Sequence, residues 1–223
     1  MLRLPAVVVN FKLYPQASGT KAVMLARMLD SVARETGASV AIAVNPLDFH
    51  QISEAVDIPV YLQHVDAVDF GAHTGRINVE LAAEHGVSGI LVNHSERRLT
   101  ISDIEHIVSH ARDVGVDTIV CTNNPAVSAA VAAIEPTMIA MEPPELIGGD
   151  ISVSKARPEA ITETINRVKR IADIPVLVGA GVKNGEDVRK AIQLGASGVL
   201  VASGITKAHD PVNALKDLVA GMM

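Results

Sequence analysis

Three side chains of complementary chemistry, Lys12, His94 and Glu142, each stand just beyond a short apolar run. Asn10 and Lys12 follow Val7-Val8-Val9, His94 closes the run that begins at Gly89, and Glu142 follows Thr137-Met-Ile-Ala-Met141. Period-two alternation sends Asn10 and Lys12 to one side of an extended chain and Phe11 to the other. A lysine so placed neutralises an anionic substrate; a surface lysine laying its stem along apolar groups fits the same spacing equally well. A helical turn starting at Ser95 would lower the His94 pKa and favour a neutral, hydrogen-bond-donating ring. A lone histidine is otherwise most often structural. A carboxylate at the end of a buried strand is costly without a partner or a task, and Pro143 biases Glu142 toward an extended backbone.

The elements that must position these groups are legible as eight apolar runs. Four open with glycine (Gly37, Gly86, Gly115, Gly195), two share the phrase Asp-Ile-Pro-Val (from Asp57 and Asp173), and two begin at Ala6 and Thr137. They are continuously apolar rather than alternating, which marks strands covered on both faces, as in a parallel sheet. Helical stripes lie between them: Ala22, Ala26, Leu29 and Ala33; Ile104, Ile107, Val108, Ala111 and Val114; Ile161, Ile165 and Val168. The second stripe is expected to open with a capping box at Ser102-Asp-Ile-Glu105, and the four glycines to stop a helix before each following strand. Eight strands alternating with helices predict a (β/α)8 barrel, one domain spanning residues 1–223 with no linker. The rival, an open doubly wound sheet, lacks its dinucleotide fingerprint, because Gly179-Ala-Gly181-Val-Lys-Asn184 has no third glycine.

In such a barrel the strand ends carry function. They give Asn10, Lys12, Asn45, Gln63-His64, Asn93-His94, Thr122, Glu142, Gly179-Ala-Gly181 and Ala202-Ser203. The small residues after the seventh and eighth strands expose backbone N–H groups where barrels of this kind bind phosphate, and Asn184 is placed to cap the next helix. The stretch from Pro144 to Lys155, with prolines at one end and Gly148-Gly149 inside, has the form of a lid or of an ordinary long loop. His106 and His110 have i, i+4 spacing, but Ile107 stands where a metalloprotease has glutamate, so a solvated helix face is expected and no metal.

Composition narrows the classes further. The chain has 223 residues, a formal net charge of -6 and five aromatic residues with no tryptophan. That balance is wrong for a phosphate-backbone binder or a base-stacking platform, so no nucleic-acid partner is expected. The single Cys121 excludes an internal disulfide and a cysteine-rich zinc site. Mean hydropathy is +0.30, yet no run of about 18 apolar residues is available to cross a bilayer. Met1-Leu-Arg-Leu-Pro5 lacks the features of a signal peptide, so a cytoplasmic protein with no membrane partner is expected.

The sequence resembles the triosephosphate isomerase family. The match rests on Asn10-Phe-Lys12, Asn93-His94-Ser95-Glu96-Arg97, Gln63 with Gly71-Ala-His-Thr74-Gly75, and Glu142-Pro143 followed by Ile147-Gly148. It runs through the whole chain in order and is closest to the compact archaeal-type members, which carry Pro-Pro-Glu-Leu-Ile-Gly. The resemblance implies that Asn10 and Lys12 hold the substrate, that His94 is the electrophile and that Glu142 is the base. It further implies a phosphate held by the backbone of Ile147, Gly148, Gly181, Ala202 and Ser203, with Glu96 tethering Lys12 from behind. The implied reaction interconverts dihydroxyacetone phosphate and glyceraldehyde 3-phosphate through an enediolate, without metal or organic cofactor. The implied assembly is a homo-oligomer, a tetramer in preference to a dimer, with the Gly71–Gly75 loop reaching a neighbour. Three departures stand out: Met141 where most relatives have tyrosine, a lid hinge without tryptophan, and Gly179-Ala-Gly181 in place of a Tyr-Gly-Gly-Ser latch. A Schiff-base aldolase on a phosphate-binding barrel, or a phosphosugar sensor, are the alternatives. The first needs an inward lysine on the sixth strand, where Glu142 stands, and the second does not need the base.

Overall fold

The computed structural model describes residues 2–143 and 152–223. Each expected apolar run forms a strand: β1 (Ala6–Asn10), β2 (Ser39–Val44), β3 (Val60–Leu62), β4 (Gly89–Val92), β5 (Asp117–Thr122), β6 (Met138–Met141), β7 (Val176–Val178) and β8 (Gly198–Val201). Every strand pairs in parallel with its successor, and β8 pairs with β1, so the sheet closes. Closure removes both edges and with them the open doubly wound alternative.

Between the strands run α1 (Thr20–Thr36), α2 (Pro46–Ser53), α3 (Val79–Glu84), α4 (Ile101–Asp113), α5 (Pro125–Ala132), α6 (Val153–Ala156), α7 (Pro158–Lys169), α8 (Gly185–Gln193), α9 (Ser203–Thr206) and α10 (Pro211–Ala220). The helical stripes are buried as expected, apart from Val114, which lies at the C-cap of α4 and is exposed. The four stop glycines all adopt positive φ, a backbone region that side chains disfavour. The capping box of α4 opens two residues earlier than expected. Thr100 accepts from the Asp103 N–H while Asp103 accepts from the Thr100 N–H. Both Thr100 and Ser102 satisfy the spacing; Thr100 is the one with extended backbone directly before the first helical residue. No described helix is long and apolar enough to cross a membrane.

Strand alternation divides the core into two shells. Val7, Val9, Val40, Ile42, Ile90, Val92, Ile139 and Met141 pack outward against the helices. Ala6, Val8, Ala41, Ala43, Tyr61, Leu91, Ile119, Cys121, Ala140, Leu177 and Leu200 fill the lumen. The N-terminal end of the lumen is closed by polar contacts: the Tyr61 hydroxyl and the Leu2 N–H donate to Asp117 Oδ2 at 2.9 and 3.0 Å. Burial and the Asp117 charge push the Tyr61 hydroxyl far up, so it stays a donor. The filled lumen leaves the C-terminal mouth as the place where side chains meet solvent.

Candidate active site

The parity that buries Ala6 and Val8 in the lumen brings Asn10 to its rim, where it is buried. Lys12 reaches the same mouth by another route than the expected alternation. Its backbone is left-handed, φ 51°, a conformation that costs a residue with a side chain about 1 kcal/mol or more. Both of its backbone groups are held: its N–H donates to Asn10 Oδ1 at 3.0 Å, and Gln63 Nε2 donates to its carbonyl at 2.9 Å. The Lys12 ammonium lies 2.8 Å from Glu96 Oε1, and the lysine side chain is only 11% exposed. It is no surface lysine, and Glu96 tethers it.

His94 follows a second left-handed residue, Asn93, at φ 58°. The Asn93 side chain donates to the Cys121 carbonyl and accepts from the Leu99 N–H, and Arg98 donates to the Asn93 carbonyl. These bonds reverse the chain and turn the imidazole into the mouth. No helix begins at Ser95: the Arg97 N–H closes a single turn onto the His94 carbonyl, and the next helix is α4. The expected helix terminus is therefore replaced by one amide, since the Glu96 N–H donates to His94 Nδ1 at 3.2 Å. With Nδ1 accepting, the proton of the neutral ring resides on Nε2. Burial, reinforced by the Lys12 charge, pushes the His94 pKa down to about 4.

Glu142 stands two residues beyond Ala140 on the lumen side of β6 and is 7% exposed. Burial pushes its pKa up to about 7 against the opposing pull of Lys12. Its Oε2 has no hydrogen-bond partner and lies 3.7 Å from His94 Nε2. The facing position, one residue beyond β7, is Gly179, where an added Cβ would sit 2.5 Å from Glu142 Cγ and 2.7 Å from Oε1. The sequence placed Gly179 only among the small residues of a phosphate loop. Its bare Cα is instead what gives the carboxylate room.

Asn10, Lys12, His94, Glu142, Gly181, Ala202 and Ser203 line one cleft with about 530 Å³ of empty space. Ala180 and Gly181 are successive left-handed residues, and Ser203 opens the short α9. Asn184 caps α8, accepting from the Asp187 N–H as expected. Asn45 does the same for α2, which accounts for its place at a strand end. Ile147 and Gly148, expected to supply further backbone donors, and the lid segment 146–149 lie outside the described residues. At the far end of that stretch the expected loop gives way to the helical residues of α6. Asp187, which sequence reasoning did not single out, accepts from the Ser152 hydroxyl and the Lys183 N–H and pairs with Lys155.

The chain matches the family model described as triosephosphate isomerase over residues 5–220. It belongs to that family. Curated proteins named triosephosphate isomerase align almost end to end. The one from Archaeoglobus fulgidus is 49% identical over 98% of this chain and 99% of its own length. That from Methanothermobacter thermautotrophicus is 48% identical over 97% and 95%, and that from Methanocaldococcus jannaschii 45% over 96% and 98%. The three side chains met first in the sequence thus converge on one mouth of a barrel from this family. The histidine pair lies on a half-exposed face of α4. His106 and His110 stack at 4.1 Å between ring centroids and are only 28% and 31% exposed.

Proposed function

We infer that this chain interconverts dihydroxyacetone phosphate and D-glyceraldehyde 3-phosphate, as a single barrel domain over residues 1–223, with Glu142 as the base. One observation carries the reading: a buried carboxylate oxygen without a partner faces the Nε2–H of a neutral imidazole, beside a tethered ammonium. Glu142 takes a proton from the carbon next to the substrate carbonyl. The electron pair moves to the carbonyl oxygen, and His94 Nε2–H and Lys12 donate to the enediolate so formed. His94 Nε2 passes its proton to that oxygen and takes the proton of the adjacent hydroxyl, whose oxygen becomes the new carbonyl, while the same carboxyl returns its proton to the former carbonyl carbon. The division of labour between glutamate base and neutral histidine is a known pattern for triosephosphate isomerases; the geometry of this cleft is compatible with it. Asn10 and Lys12 position the substrate, and backbone donors at Gly181, Ala202 and Ser203, joined by Ile147 and Gly148, hold the phosphate. A coupled assay for triose phosphate interconversion tests the reading. A covalent adduct trapped by borohydride would point to the aldolase, and binding without turnover to the sensor.

The elevated Glu142 pKa sets a pH dependence. The base acts when ionised, so kcat/KM falls as pH drops below about 7. His94, at about 4, stays neutral across that range and adds no limb. Phosphate-free D-glyceraldehyde as substrate removes the phosphate ionisation near pH 6 from the profile. An acid limb remaining near 4.5 with that substrate would show that burial does not tune this carboxylate.

Gly179→Ala is expected to push the carboxylate aside, since the methyl would overlap Glu142 Cγ and Oε1. A shift on the order of 1 Å costs about 10²-fold in rate, and the crowding costs about 1–3 kcal/mol of stability. Steady-state kinetics with thermal melts separate the two effects. Unchanged kcat would mean that Gly179 does not set the base.

A homo-oligomer, a tetramer in preference to a dimer, accounts for the apolar side chains around the mouth. Leu47, Leu13 and Phe70 are exposed, and Leu13 and Leu47 line a second cleft that also holds Lys12, His94 and Gly75. Cytoplasmic residence completes the proposal. Sedimentation is expected to give an assembly whose dissociation lowers activity; a fully active monomer at low concentration would overturn it.

A further inference from the structure

The loop between β3 and α3, whose other residues reach the second cleft at the mouth, meets the outer face of α4. Asp69 Oδ1 lies 3.5 Å from His106 Nε2 and 3.7 Å from His110 Nε2. One ligand atom from each of the three lies within 4.8 Å of the others, and among the described residues no other cluster of this type occurs. We propose that Asp69, His106 and His110 form a site for one divalent transition-metal ion of the zinc type, which fastens the loop after β3 to α4.

The chemistry of the donor set supports this. Two imidazole nitrogens and a carboxylate oxygen suit zinc and its neighbours rather than magnesium or calcium. Tetrahedral zinc with bonds of about 2.0–2.2 Å separates its ligand atoms by roughly 3.3–3.5 Å, close to the two carboxylate–imidazole distances, and the stacked rings have to turn apart for both Nε2 atoms to face one ion. The i, i+4 spacing on α4 puts both rings on one face, as in other helical zinc sites. His110 Nδ1 is hydrogen-bonded to Glu80 on α3, the outer carboxylate that a metal-bound histidine regularly has to fix its ring and tautomer. The second Glu80 oxygen is buried without a partner. Asp69 is largely exposed, which leaves an entry path and a fourth position for water. Ile107 follows His106, so the glutamate that makes such a pair hydrolytic is absent and the ion's task is structural.

The loop it would fasten is already gathered at its base. Asp66 accepts from Arg76, Arg97 and the Ile77 N–H. Asp69 lies just beyond this knot and before Gly71–Gly75, and it has no comparable set of bonds apart from the two histidines. A metal there extends the anchoring toward the loop tip.

The test uses the full-length protein, stripped with a chelator and titrated with zinc chloride against a chromophoric indicator. One equivalent per chain is expected, with a rise in melting temperature that magnesium does not reproduce. Asp69→Asn and His106→Gln should each weaken zinc binding at least about tenfold, and Glu80→Gln, which touches no metal, about tenfold through His110. Cobalt in place of zinc should give the intense visible bands of a four-coordinate ion in the parent protein and lose them in the variants. Zinc uptake by the parent no greater than by a His106→Gln/His110→Gln double variant would overturn the proposal, and so would undiminished affinity in the single variants. A cluster that serves only as ion pairs would give the first of these results while its variants melt earlier.

Discussion

Glu142→Asp lowers kcat about 100-fold and leaves KM little changed. Aspartate keeps the carboxylate but withdraws it by one methylene, on the order of 1 Å, and a misplacement of that size costs about 10²-fold, or roughly 2.7 kcal/mol of barrier. The surroundings offer no compensation. Oε2 has no hydrogen-bond partner to draw it forward, and Gly179 supplies no side chain to fill the gap behind it. The carboxylate acts on the carbon acid and not on the phosphate, so the loss belongs to the transition state and appears in kcat. Gly179→Ala displaces the same group from the opposite side, and combining the two changes should give less than the product of their separate losses. A kcat for Glu142→Asp within about threefold of the parent, less than 1 kcal/mol, would remove Glu142 from the role of base.

Lys12→Met lowers kcat/KM on the order of 10³-fold, about 4 kcal/mol, with KM rising and kcat falling together. Truncating one member of a desolvated charge pair costs about 2–5 kcal/mol, and Lys12 faces charge both in the substrate and in the enediolate. The fold should tolerate the change, because the carboxylate left behind, Glu96, is 60% exposed and finds water. A titration signature separates this loss from simple misfolding. The Lys12 charge holds down the pKa of both Glu142 and His94. Removing it raises both, so the base ionises only at higher pH and the acid limb of kcat/KM moves above about 7. Activity of the variant should then recover in part as pH rises from neutrality. An acid limb that stays in place would show that Lys12 and Glu142 do not share a field.

The barrel and the identity of its three principal side chains are legible in the sequence for one reason. Strands covered on both faces must be continuously apolar, so a lysine, histidine or glutamate at the end of such a run is conspicuous. What the runs hide is backbone conformation. Neither Lys12 nor Asn93 is glycine, yet both are left-handed; Gln63 holds the first from another strand end, a contact the barrel creates, and Arg98 and Leu99 hold the second from within its own loop. Likewise His94 owes its tautomer to one turn amide and not to the helix that Ser95 suggested. The capping box was ambiguous because two hydroxyl residues, Thr100 and Ser102, satisfy one spacing rule. The neighbours of His106 and His110 come from other elements, Asp69 and Glu80, and no periodicity within α4 reports them. Lumen polarity was invisible for the same reason: Tyr61 and Asp117 meet only when β3 and β5 are both beside β4.

Asp187 joins two stretches that lie far apart along the chain. Its Oδ1 receives the Ser152 hydroxyl and the Lys155 ammonium, and its Oδ2 receives the Lys183 N–H. Lys183 follows Gly181 closely on the loop after β7, while Ser152 and Lys155 follow the segment 144–151. The carboxylate therefore works as a pivot between them. One buried carboxylate thus holds Ser152 and Lys155 in a fixed relation to the loop that carries Gly181, so a substitution at Asp187 would release both at once.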